Sequence, residues 1–77
     1  MTQAIFPHIT INTDIRFTKP IIEGTRVPVE LVVGKIAGGM NIAEVTQEYD
    51  LTKEQVLAAL RYAAHLVSTE AIANVYE

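Results

Sequence analysis

Seventy-seven residues, 49% of them hydrophobic and 19% charged, describe one small globular domain rather than a disordered chain or a pair of domains. Six Lys and Arg against nine Asp and Glu leave a net charge of −3. With no cysteine, a disulfide framework and thiolate-bound zinc or iron–sulfur sites are excluded. A chain this short buries only about 60% of its unfolded surface, so oligomerisation, in the form of a homodimer, is the expected extra stabiliser. The longest stretch without charge, residues 1–13, is too polar to span a membrane, and the first basic residue is Arg16, too late for the basic start of an export signal. The expected location is the cytoplasm.

All three prolines fall in residues 7–28 and all four glycines in residues 24–39, which divides the chain into a turn-rich region (1–27) and a helical region (28–77) of one domain. Ile9, Thr10 and Ile11 are all β-branched and read as a half-buried strand. Ile21-Ile22, after Pro20, is a second strand, and Glu23-Gly24-Thr25 a turn in which Gly24 is free to take positive φ. Together they predict a β-arm or hairpin, and its isoleucines are the expected contact of the homodimer.

Pro28 suits the first position of a helix, with Val29, Val32, Val33 and Ile36 at helical spacing and Gly38-Gly39 as its end. Asn41 and Glu44 are spaced as a capping box, and Ile42, Val45 and Tyr49 mark the buried face of a short second helix ending near Asp50-Leu51. Thr52 and Gln55 repeat the capping box, followed by an apolar stripe through Val56, Leu57, Leu60, Ala63, Ala64 and Val67. This third helix either continues to the end of the chain or breaks near Ser68-Thr69. Three helices with a brief turn between the last two outline a helix-turn-helix domain; the other reading is an ordinary three-helix cluster.

Charge is unevenly spread. Residues 16–35 hold Arg16, Lys19, Arg26 and Lys35 against Glu23 and Glu30, whereas the turn before the third helix is ringed by Glu44, Glu48, Asp50 and Glu54 with Lys53 as the nearby cation. Thr52, Lys53, Gln55 and Ala58 are placed to reach base edges, yet phosphate binding draws on Lys and Arg, and a solvated acidic face explains this rim equally well. Arg16, Lys19 and Arg26 read either as a site for an anionic partner or as local ion pairs, for example Arg26 with Glu23 or Glu30. No catalytic constellation, metal-ligand spacing or phosphate-binding loop is present: His8 and His65 lie far apart, and helix-face glutamates are ordinarily solvated. The expectation is a protein with no catalysis, no metal and no cofactor.

The run Lys19-Pro20-Ile21-Ile22-Glu23-Gly24-Thr25-Arg26-Val27-Pro28-Val29 resembles the motif of the prokaryotic family called domain of unknown function 433. Gly39-Met40, Glu44-Val45, Tyr49 and Leu51-Thr52 extend the likeness over about Ile9 to Leu66. Thr18 stands where the family has glycine, and Asn12-Thr13 where it has Asp-Pro; Gly24, Thr25 and Arg26 match, and with Pro28 they are read as the structural turn. The resemblance implies a mainly α, homeodomain-like three-helix fold with an N-terminal β-arm, usually dimeric. It also implies an antitoxin-like role toward a PIN-like ribonuclease, with operator DNA as a further ligand of the dimer. The rival expectations are a DNA-binding regulator without a toxin partner, and a structural dimeric adaptor.

Overall fold

The computed structural model describes residues 1–15 and 18–75, with side chains described as far as residue 69. Three strands, β1 (Thr2–Phe6), β2 (Ile9–Asn12) and β3 (Ile21–Ile22), precede three helices, α1 (Val29–Ala37), α2 (Ile42–Tyr49) and α3 (Lys53–Val75). About half of the chain is helical.

The strands form one antiparallel sheet in the order β1-β2-β3. Phe6 pairs with Ile9 across a two-residue turn in which Pro7 fixes its own φ and His8 adopts φ 67°. β1 is not foreseen in the sequence reading above. Ile9 and Ile22 face each other in the β2–β3 register, and neither has any exposed surface. They meet Val29 and Val32 of α1, Val45 of α2 and Val56, Ala58 and Ala59 of α3 in the single core cluster. The sheet is therefore a wall of the core rather than an appended arm. For the same reason Ile9 and Ile22, expected at a dimer contact, are not available to a second chain.

The helix boundaries follow local hydrogen bonding. Pro28 is the N-cap of α1, with φ −67° and ψ 144°, one residue before the helical position the sequence suggested. Its φ suits either place; its extended ψ puts it outside the helix. Gly39, at φ 113°, reverses the chain after α1, and the Met40 N–H donates to the Lys35 carbonyl at 3.0 Å in a Schellman closure. The α2 capping box forms in both directions: Glu44 N–H donates to Asn41 Oδ1 at 2.8 Å, and Asn41 N–H to Glu44 Oε1 at 2.9 Å. Asn41→Ala is expected to cost about 1 kcal/mol, read as a lower urea midpoint at unchanged slope.

α3 is continuous from Lys53 to Val75, which resolves the alternatives at Ser68-Thr69 in favour of a single helix. Its buried face is carried by Val56, Ala58 and Ala59, while Ala64 and Val67, expected in the stripe, are exposed. The reason is length. At about 1.5 Å per residue α3 is more than twice as long as α1 or α2, and its later turns outrun them.

Candidate functional site

The segment Ile22 to Val27 is a tight loop held at four points. Ile22 N–H donates to the Val27 carbonyl at 3.0 Å, and Thr25 N–H to the Ile22 carbonyl at 3.0 Å. The Thr25 hydroxyl donates to that same carbonyl at 2.7 Å and accepts from Val27 N–H at 3.0 Å. Gly24 takes φ +76°, where an L side chain is strained. Glu23 N–H donates to the His8 carbonyl at 2.8 Å, which ties the loop to the β1–β2 turn, and Ile21 bridges to Pro28.

Arg26 stands on this loop between Thr25 and Val27, whose atoms form its hydrogen bonds. The residue is exposed, and among the described residues it makes no ion pair. With Asn12, Ile15 and Ile21 it lines a depression of about 440 Å³. Ile15 is 55% exposed there, so a guanidinium and an apolar side chain are presented side by side. Neither Ile15 nor Asn12 is read as a site residue from the sequence; antiparallel pairing of β2 with β3 sets the end of β2 on the same side as Ile21 and the Arg26 loop.

The other two basic candidates part company with Arg26. Lys19 Nζ lies 2.6 Å from Glu30 Oε1 in the first turn of α1, so the ion pair with Glu30 belongs to Lys19 rather than Arg26. Both side chains are largely exposed, and such a pair contributes about 0–1 kcal/mol. Arg16 lies outside the described residues.

The face suggested for DNA is differently occupied. Thr52 N–H donates to Gln55 Oε1 at 2.8 Å, and Gln55 N–H to Thr52 Oγ1 at 3.1 Å. Both side chains thus close the first turn of α3 instead of reaching outward. Ala58 is 1% exposed and lies in the core, so it cannot read a base edge. Lys53 is exposed, with Glu54 paired to Arg61 at 3.1 Å beside it. Among the described residues no three His, Asp or Glu side chains are grouped to hold a metal, and no helix is long and apolar enough to cross a membrane.

A family model described as "Protein of unknown function (DUF433)" matches residues 9–63, more than half of the chain. No match is found among curated proteins or solved structures.

Proposed function

The chain belongs to the family of proteins of unknown function numbered 433, and on that premise we propose that it is a noncatalytic, antitoxin-like protein that engages a PIN-like ribonuclease through the face around Arg26. The observation that carries this reading is an exposed guanidinium without an ion-pair partner among the described residues, on a backbone fixed by Thr25 and Gly24. A guanidinium on a fixed backbone loses little freedom when it meets a carboxylate in two-point contact, and the active site of such a nuclease is acidic. Ile15 and Ile21 supply the apolar surround that keeps water from the pair.

Operator binding through α2, the Asp50-Leu51-Thr52 turn and α3 is the second reading, in which these helices form a homeodomain-like helix-turn-helix. The short connection between two capped helices favours it. The acidic rim and the engaged Thr52 and Gln55 side chains leave Lys53 as the cation at that turn, which weighs against tight binding there.

The test is binding to the product of a neighbouring PIN-like gene, with growth rescue on co-expression. Arg26→Ala is expected to weaken binding by about 2 kcal/mol or more, and Arg26→Lys to lose most of that contribution, with both proteins keeping their circular dichroism. A folded Arg26→Ala protein that restores growth in full removes Arg26 from the inhibitory site. Loss of operator binding in Lys53→Ala, with the Arg26 variants unaffected in both assays, favours the regulator instead.

A further inference from the structure

Asn12 and Ile15 are the two ends of a tight turn that closes β2. Ile15 N–H donates to the Asn12 carbonyl at 3.2 Å, and Asp14 N–H to Asn12 Oδ1 at 3.0 Å. The second bond settles which end of the Asn12 amide is oxygen, because a backbone N–H needs an acceptor, and it leaves Nδ2 as the end able to donate. The turn also accounts for an apolar side chain in solvent: Ile15 is 55% exposed on a backbone that is held in place. The same depression is lined by Arg26, on the loop fixed by Thr25 and Gly24, and by half-buried Ile21, which is paired with Thr10 and bridged to Pro28.

The chemistry of this lining selects a ligand. Among the described residues, its free polar side-chain groups are donors, the Arg26 guanidinium and Asn12 Nδ2, and no Asp or Glu lines it. The carboxylate of Asp14, next to Ile15, is paired with the Met1 amine. A cationic donor with no acceptor beside it suits an anion, and the planar guanidinium matches a carboxylate in two-point contact. Ile15 and Ile21 offer branched apolar surface to the rest of the ligand. A zwitterionic amino acid fits poorly, since its ammonium would lose water and meet no free side-chain acceptor.

We propose that this depression binds a carboxylate carried on a branched aliphatic body with no ammonium beside it. The acid end meets Arg26 and Asn12, and the branch lies against Ile15 and Ile21. The turn at Asn12 and the loop at Arg26 are each closed by their own hydrogen bonds, so little ordering opposes binding. This chemistry occurs both in a free acid and in the carboxyl-terminal residue of a polypeptide. The site shares Arg26 with the proposed ribonuclease contact, so a bound carboxylate would compete with that partner. Binding is measured on the chain alone, and the two readings stand or fall separately.

Amide chemical shifts of the full chain, followed by solution NMR, read the binding. Isocaproate stands for the free acid and acetyl-leucine for a chain end, with acetyl-leucine amide as the uncharged control. At least one of the two acids is expected to saturate the wild-type chain with a dissociation constant of about 1 mM or below, shifting Asn12, Ile15, Ile21 and Arg26. The amide is expected to bind at least about 10-fold more weakly. Arg26→Gln is expected to weaken the acid about 10-fold or more and Ile15→Ser about 3-fold or more. Lys35→Gln, which removes an exposed cation in the last turn of α1, is expected to leave it unchanged. Saturation by isocaproate alone assigns the site to a small acid, and by acetyl-leucine alone to a polypeptide end. The same spectra report whether each variant is folded; should Arg26→Gln lose its fold, Arg26→Lys, which keeps the charge without the two-point contact, is read in its place. Failure of both acids to saturate the chain overturns the proposal. So does an amide that binds as well as its acid, or binding that survives both the Arg26 and the Ile15 variants.

Discussion

Replacing Ile22 with alanine is expected to destabilise the protein by about 2–5 kcal/mol and lower its melting temperature by roughly 10–30 °C. Ile22 has no exposed surface, faces Ile9 in the β2–β3 register and touches the helical core. Truncation leaves a cavity that a two-residue strand cannot collapse to fill, since Ile22 N–H is tied to the Val27 carbonyl and its own carbonyl receives two bonds from Thr25. The whole domain is worth only about 4–12 kcal/mol at its size, so much of the population would be lost at physiological temperature. A change below about 1 kcal/mol would mean that the helices close the core without the sheet.

Gly24→Val is expected to cost about 1–3 kcal/mol through the backbone alone. An added Cβ at Gly24 meets no atom within 4 Å, so crowding contributes nothing; the penalty comes from φ +76°, where a β-branched residue is strained. Gly24→Asn should recover most of the loss, because asparagine tolerates the left-handed region. Urea unfolding of the three proteins tests this, and equal midpoints for valine and glycine would show that the turn relaxes to ordinary geometry. Valine should also loosen the Thr25 hydrogen bonds and with them the presentation of Arg26.

Features whose determinants lie a few residues apart were readable before the fold. Both capping boxes, Asn41 with Glu44 and Thr52 with Gln55, need only a spacing of three and the right side chains. Val32, Val45 and Val56 announce themselves by helical period and are fully buried. β1 left no such trace, because four of its five residues are exposed and exposure on both faces produces no alternation. The pairing of Ile9 with Ile22 depends on the path of the intervening loop, which local propensity does not set. The site divides in the same way. Gly24 was legible as a turn glycine, but which cation meets Glu30 was not: the spacing suggested Arg26, and the placement of Pro20 against the start of α1, where Val29 N–H donates to the Pro20 carbonyl, gives the contact to Lys19. Past Ala63 the apolar period of α3 continues, yet residues 64–69 stay exposed although His65 still meets Phe6 and Leu66 and Val67 border Val29 and Val33; sequence records the period but not how far it is covered.

Every fully buried apolar side chain of the described residues, from Ile9 to Ala59, lies within the span 9–63 shared with the family; β1 and the last three turns of α3 lie outside it. Exposed positions outside the core typically change stability by no more than about 0.5 kcal/mol on substitution. The exposed residues of those ends, Thr2 to Ile5 and Ala64 to Thr69, are consequently freer to drift after a gene duplication than Phe6, which packs on the core, so sister chains can diverge in surface there while keeping one fold.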